Sequence, residues 1–530
     1  MKKLLNLEYL RWSKSTSMYT TNLGVKLLLL YAFAIAVYVL ARYRGLWGEH
    51  DTSVFSQAIE SMLNSRHLLT PAHIYPKGYG YQALIVFFSS MSGIPALDIQ
   101  LYASSLMFIW LVIPVWLLYR ELTKNNRIAL LSCFLLFIQP EFLFTSLRGT
   151  HEKFTRGLML LCMYLLVRSL RDRSNLVRFT GFVIAFYICV YGMVSFNNFF
   201  STSFVIALGF SLLLVAVFSG DIKSVLHDRV LARVCYVMLA SIILAFIFTF
   251  YIYPPASQTI QILQSVWDRI AVLLLNMDTQ AYNPYTTVED TWINLPTYFV
   301  LSLANWLILV GSATIWLGQS MRWWLGKWRP VKIHQLILWS MYGAFAIQGA
   351  LSVLVDVSGA IAGNLQLRIF PSFLILATPV VAIWLAERKF LRYRQAVQIA
   401  FCLFISFLAI SSIIKATNEP LVSNKWLFVS TDELQAVQWA DEYLPEQRLW
   451  VGYDERILAA TIMREGDRPQ EVKLTDNRQE ESVTNLLISD IILLRGKRLQ
   501  QMPPLPENAN IIYDNGSTQI YQSLPNSESQ

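Results

Sequence analysis

The chain has 530 residues, 55% of them hydrophobic, 14% aromatic and only 15% charged. Soluble domains carry about a quarter charged residues, so this composition excludes a soluble multidomain enzyme, a disordered chain and a disulfide-stapled scaffold. Lys and Arg outnumber Asp and Glu by 43 to 35, and the basic inner loops of a polytopic membrane protein account for that surplus without nucleic acid.

The N-terminal segment, residues 1–26, is too long and polar for a signal sequence, and the apolar run 24–41 reads as a retained first span. After it comes GLWGEHDTSVFSQAIESMLNSRHLLTP, the opening of an external loop over 42–99. Val54, Ala58 and Met62 share one helical face, and Phe55, Ile59 and Leu63 another. The spacing predicts a helix lying at the membrane surface and starting near Thr52 or Ser53. Asp51, just ahead of it, has two readings: a helix cap, or a general base held at the surface. In HIYPKGYGYQALIVFF, Pro76 and Gly78 break the backbone around Lys77. That lysine either snorkels to the interface or sits over a lipid phosphate. The run Tyr79–Ile94 that follows, about 16 residues, is near the lower limit for a span.

Further runs suited to spans lie at 100–118, 128–145, 154–170, 179–196, 199–218, 232–253, 293–318, 334–355, 369–386 and 396–414. Charge decides the ambiguous one. If 79–94 only dips into the outer interface, eleven spans remain, with the N-terminus inside and the C-terminus outside. With charges at run ends counted on the nearer side, the inner side then holds 23 Lys/Arg against 6 Asp/Glu, and the outer side before the tail holds 9 against 11. This is the asymmetry that the positive-inside rule requires.

Between the runs, the second external loop, Ser146–Lys153, reads FTSLRGTHEKFTRG with its flanks. It gathers Arg148, His151, Glu152, Lys153 and Arg156. Basic residues are disfavoured outside, so the cluster calls for an anionic ligand or for headgroup anchoring. Arg368, at the outer start of 369–386, poses the same choice. A third external loop, 254–292, contains an expected interfacial helix, QTIQILQSVWDRIAVLLL. Ionisable residues buried within the runs are nearly absent, since Glu141 lies beside Pro140 and the other candidates sit near span ends, which argues against an ion-coupled transporter. His50, Asp51, His73, His151 and Glu152 could form a divalent-metal site for Mg²⁺, Mn²⁺ or Zn²⁺, or be ordinary interfacial groups; no ligand-spacing motif is present. The five cysteines all fall inside apolar runs and form no framework.

Beyond 415 the composition becomes that of a small α/β domain with 11 Lys/Arg against 18 Asp/Glu. Helical periodicity covers Asp432–Tyr443, with Thr431 as cap. Arg448–Gly452 and Ser489–Leu494 read as strands, and Asn515-Gly516 in IIYDNGSTQIY as a hairpin turn. Asn515-Gly516-Ser517 also fits a glycosylation sequon. The expected fold class is therefore an all-α polytopic membrane protein, residues 1–414, with external interfacial helices and a soluble extracytoplasmic α/β domain, 415–530.

These features together resemble the GT-C superfamily of membrane glycosyltransferases. The likeness is to protein O-mannosyltransferases and lipid A aminoarabinose transferases, and more loosely to oligosaccharyltransferase catalytic subunits. Glu49-His50-Asp51 matches the acidic motif after the first span, FSQAIESML the interfacial helix, Tyr75-Pro76-Lys77-Gly78-Tyr79 the proline-containing entry to an apolar helix, and Arg148–Glu152 the second acidic loop. The likeness is good over 24–170, topological to 414, and covers the tail only as a small external domain. Many relatives have Asp-Glu in the first loop, whereas Thr52 follows Asp51, so Asp51 or Glu49 can hold the catalytic role. The resemblance implies a polyprenyl-phosphate sugar donor and a glycan, lipid or protein acceptor at the outer face of the plasma (inner) membrane. It implies catalytic roles for Asp51, Glu49 and Glu152, and substrate binding by Lys77, Tyr79, Arg148, His151, Lys153 and Arg368. A flippase of lipid-linked sugars and a non-catalytic scaffold are the alternatives from other classes.

Overall fold

The computed structural model describes residues 2–68, 75, 78–171, 175–219, 292–327, 333–357, 365–387, 395–424, 426–444, 449–451, 454–465, 472–474, 485–500 and 509–523, with isolated positions between 240 and 268. For residues before 22 only the backbone is described. The run 232–253, the interfacial helix expected in 254–292, His73 and Lys77 lie outside the described residues.

The helices are α1 (Lys2–Tyr43), α2 (His50–Ser65), α3 (Gly80–Ser92), α4 (Ala96–Thr123), α5 (Asn126–Phe137), α6 (Pro140–Leu147), α7 (Glu152–Arg171), α8 (Leu176–Phe196) and α9 (Asn198–Ser219). They continue with α10 (Leu295–Leu301), α11 (Leu303–Trp324), α12 (Ile333–Val357), α13 (Leu365–Glu387) and α14 (Gln395–Ala416). Among the described residues seven helices are long and apolar enough to cross a membrane, and nine if two bent pairs each count as one span. The bends are 71° between α5 and α6 and 66° between α10 and α11. Pro140 explains the first: it sits at the start of α6, where its missing N–H costs nothing, and ends α5 behind it. Helix α7 has the length of a span, 20 residues, but carries the charges that set it apart. Helix α3 has 13 residues, about 20 Å at 1.5 Å per residue, which is short of a ~30 Å hydrocarbon core. It exposes Phe87, Phe88 and Met91, in keeping with a segment that dips.

The bundle closes around α13, which packs against α5, α11 and α12 and is buried along most of its length, from Ile369 to Ala382. Glu141, the lone acidic residue of the apolar runs, pairs with Lys415 of α14 just past the α5–α6 bend. Lys415 also faces the rings of Tyr298 and Trp292 at 5.5 and 6.0 Å. The charge is thus neutralised inside the protein.

The tail adds helices α15 (Thr431–Tyr443), α16 (Glu455–Glu465) and α17 (Asp490–Leu499) and strands β1 (Leu449–Val451), β2 (Val472–Leu474), β3 (Asn485–Ser489), β4 (Ala509–Asp514) and β5 (Thr518–Ser523). The five-stranded sheet has the order β2-β1-β3-β5-β4. Strands β1, β2 and β3 are parallel, and β4 and β5 form the antiparallel hairpin around Asn515-Gly516. Two local expectations need correction. Residues 490–494 are helical, not extended, because Ser489 caps α17 by accepting from Ile492 N at 3.3 Å and Asp490 lies in its first turn. The cap of α15 is Ser430, which forms a capping box with Glu433, one residue before the Thr431 of the sequence reading. The Asn515 amide donates to Asp432 O at 2.9 Å, and its oxygen accepts from Thr518 N at 2.8 Å, so the turn uses the side chain that the sequon would present.

Candidate active site

Helix α2 begins at His50, earlier than its apolar spacing alone indicates, because Glu49 caps it. The Glu49 carboxylate accepts from Thr52 N at 3.1 Å, Thr52 Oγ1 at 2.7 Å and Asp51 N at 3.3 Å. The cap reading therefore belongs to Glu49, not to Asp51. Asp51 stands in the first turn with its side chain 54% exposed, while that of Glu49 is 10% exposed. Phe55, Ala58, Ile59 and Met62 bury the other face of α2.

Arg148 joins the two acidic loops. It pairs with Glu49 through Nη2, with Asp51 at 2.5 Å and with Glu152 at 3.6 Å, and its guanidinium lies 4.7 Å from the Phe144 ring. The backbone that presents it is held from several sides. Lys153 Nζ donates to Arg148 O at 2.6 Å and Ser104 O at 2.9 Å, and Tyr81 Oη to Gly149 O at 2.8 Å. Gln100 Nε2 bridges Gly149 O and Thr52 O at 3.1 and 2.9 Å, tying α2 to the second loop. Sequence reasoning missed Gln100 and Tyr81. Their one signal was a polar atom at the border of an apolar run, which suits an interfacial residue equally well.

The electrostatics follow from this geometry. Protein atoms crowding the Asp51 carboxyl push its pKa up. The Arg148 charge and hydrogen bond, with Arg368 and His151 further off, more than offset this and hold it below the usual carboxylate range. Burial works against the Arg148 charge, but Glu49, Asp51 and Glu152 raise its pKa further, so it stays a cation.

His151 lies at the same place but points into an aromatic wall. Its Nε2 meets Tyr75 Oη at 3.1 Å and the Asn197 amide, and Phe55 and Phe200 flank the ring at 5.0 and 6.0 Å. Tyr79 caps α3, and its N–H donates to Ser195 O at 2.9 Å. Gly78 lets this segment pass the end of α8: a Cβ there would lie 2.4 Å from Phe196 O. Lys153 is wholly buried, with its ammonium turned to Ser104 and Arg148 O. Arg368 is exposed at the start of α13, within electrostatic reach of Asp51.

A divalent metal does not fit the described part of this arrangement. Among the described residues no three His, Cys, Asp or Glu side chains gather as ligands. The three carboxylates instead converge on Arg148, and His151 is engaged by Tyr75 and Asn197.

The tail reaches this site from behind. Residues 46–48 pair with 427–429 through Gly48 N to Leu427 O at 2.7 Å and Val429 N to Leu46 O at 2.9 Å. Phe428 stacks on Tyr43 with ring centroids 3.4 Å apart. Arg456 of α16 donates to Phe428 O at 2.5 Å and is neutralised by Asp454 and Glu433. Gly48 admits this contact, since a Cβ would lie 2.7 Å from Arg456 O. Helix α16 also packs on α2.

No family model matches the sequence, and no curated protein sequence matches it. Solved structures do. The oligosaccharyltransferase AglB of Archaeoglobus fulgidus, solved with an inhibitory peptide and a dolichol-phosphate, superposes with a TM-score of 0.57 at 12% identity over 96% of this chain and 75% of its own. An oligosaccharyltransferase of the same organism, tethered to an acceptor peptide, gives 0.54 at 13% identity over 94% and 74%. ArnT of Cupriavidus metallidurans bound to undecaprenyl phosphate gives 0.48 at 13% identity over 95% and 98%. The chain has the fold of the GT-C glycosyltransferases that its motifs resemble.

Proposed function

We propose that the chain is a membrane glycosyltransferase that moves a sugar from a polyprenyl-phosphate donor to an acceptor hydroxyl, with Asp51 as general base. The observation that carries this reading is the division of labour between neighbouring carboxylates. Glu49 is buried and spent on the helix cap, whereas Asp51 is exposed, ionised and oriented by Arg148. The dolichol-phosphate bound to the similarly folded archaeal protein supports the donor class.

In the proposed step the acceptor oxygen attacks the anomeric carbon and its proton passes to Asp51. The bond between the anomeric carbon and the phosphate oxygen breaks, and its electron pair leaves with the polyprenyl phosphate. That leaving group is acidic enough to depart without a protonated acid, given cations near the developing charge. Arg368 and Lys77 are assigned that role, Tyr79 and His151 line the approach, and Glu152 keeps Arg148 in register. A single displacement inverts the anomeric configuration. In this reading residues 1–414 form the catalytic membrane domain with a cytoplasmic N-terminus, and 415–530 form an extracytoplasmic domain that buttresses it.

The test is incubation of the purified full chain with polyprenyl-phosphate sugars extracted from its native membrane, followed by mass spectrometry. Appearance of free polyprenyl phosphate together with a glycosylated acceptor is the expected result. Donor that crosses a vesicle bilayer unchanged would make the protein a flippase and overturn the assignment.

A further inference from the structure

Arg156, one turn into α7, is 1% exposed. Among the described residues nothing accepts a hydrogen bond from its Nε, Nη1 or Nη2. Its neighbours in the cluster are committed elsewhere. Arg148 is turned to Glu49, Asp51 and Glu152, and Lys153 donates to Ser104 and the Arg148 carbonyl. Glu152, the helical neighbour one turn before Arg156, makes its ion pair with Arg148 and not with Arg156. The one described contact of the Arg156 guanidinium is with the Phe200 ring, 5.1 Å from its centroid. That contact offers no acceptor atom, so the N–H donors on its three nitrogens remain without a hydrogen-bond partner.

Charge balance alone does not explain the arrangement. Glu152 offsets part of the positive charge at a distance, but an offset charge satisfies no N–H. A buried donor without an acceptor is costly, and a guanidinium has several and cannot shed its proton to escape. Around the entry to α7 the Ser146 and Thr150 hydroxyls and Arg148 Nε are further buried groups without a hydrogen-bond partner, and Glu152 Oε2 is a buried acceptor without one. One such acceptor cannot meet the five N–H donors of Arg156, so the balance of unmet demand here is for acceptor oxygens, several of them on one compact group.

We infer that Arg156 is the recognition group of a buried phosphate subsite at the start of α7, taking a phosphate monoester or diester against the guanidinium fork. Arg suits this task because its parallel N–H groups match two phosphate oxygens at once. The phosphate is carried either by a lipid or by a free ion. The subsite is argued from Arg156 itself and stands whether or not the chain transfers sugar.

The test measures binding, not turnover. Thermal unfolding of the purified full chain in detergent is followed with a C55 polyprenyl monophosphate, with the same polyprenol lacking phosphate, and with inorganic phosphate. Wild type is compared with Arg156→Gln and Arg156→Lys. The expected result is stabilisation of wild type by the lipid phosphate, with polyprenol giving a smaller shift. Arg156→Gln should weaken that phosphate-dependent effect by about 30-fold or more in apparent affinity, as removal of one partner of a buried charge pair does. Arg156→Lys should fall between, keeping the charge and losing the fork. Without ligand, Arg156→Gln should melt at or above the wild-type temperature, because it removes unmet donors from the interior. Stabilisation by inorganic phosphate as well would assign the site to free phosphate, and its absence to the lipid headgroup. Equal shifts by phosphate and polyprenol, no shift at all in wild type, or a lower melting temperature with an unchanged ligand shift in Arg156→Gln would each overturn the inference. If Arg156→Gln does not fold, Arg156→Lys alone decides, since unchanged phosphate affinity in it contradicts fork recognition.

Discussion

Replacing Asp51 by Asn preserves the side chain's size and removes the charge that faces Arg148. Sugar transfer should fall by about 10²- to 10⁴-fold, with thermal stability little changed because Arg148 keeps Glu49 and Glu152. Glu49→Ala acts in the other register. It removes the cap of α2 and a buried partner of Arg148, and should cost about 3 kcal/mol or more, seen as a lower unfolding midpoint. The pH profile follows from the depressed Asp51 pKa. A base must be ionised, so transfer should stay level from neutral pH downward and fall only below the ordinary carboxylate pKa of about 3.9, provided the fold survives. Stability linked to this group has the same sign: it is present above the unfolded-state pKa and lost as pH falls through the folded one. Arg368→Gln weakens one of the charges holding Asp51 down, so the acid limb should move up. A limb that stays in place would remove Arg368 from the electrostatics of the site.

Among the elements, the pairing of 46–48 with 427–429 sets the entry to α2 just ahead of Glu49. Arg456 holds that pairing through Phe428 O, and Asp454 and Glu433 keep it charged against burial. Arg456→Met should leave both carboxylates buried without their partner. A loss of about 3–5 kcal/mol is expected, with transfer falling alongside it, and denaturation of wild type and variant in the same detergent measures it. Much of this level was legible beforehand. Nine of the eleven apolar runs fall on the helices and bent pairs able to span, 154–170 falls on α7, which is not one of them, 232–253 lies outside the described residues, and Asn515-Gly516 located the hairpin. Ser489–Leu494 was misread because a short run of branched apolar residues fits a strand and a helix equally, and only the Ser489 cap decides between them. The two bends were invisible as angles, although Pro140 marked one of them.

At the scale of the whole molecule, the order of the acidic and basic motifs along the chain already points to one candidate site, and Glu49, Asp51 and Glu152 do meet there at Arg148. What composition cannot show is which charges answer one another. Arg148 and Lys153 looked alike in the sequence as cations of one loop, yet one faces carboxylates and the other backbone carbonyls. Lys415 drew no attention at all, because its partner Glu141 lies 274 positions away. The orientation behind the whole reading is itself testable. A cysteine placed at exposed Arg368 should react with a membrane-impermeant thiol reagent in intact cells, and one at exposed Trp324 should not.

The most direct measurement is single-turnover transfer by the purified protein, with donor in limiting amount, comparing wild type and Asp51→Asn at neutral pH. Wild type should convert donor to polyprenyl phosphate and inverted glycoside, with the rate reduced at least about 100-fold in a folded Asp51→Asn protein. Equal rates in the two proteins would contradict the assignment of Asp51 as the base on which the mechanism rests.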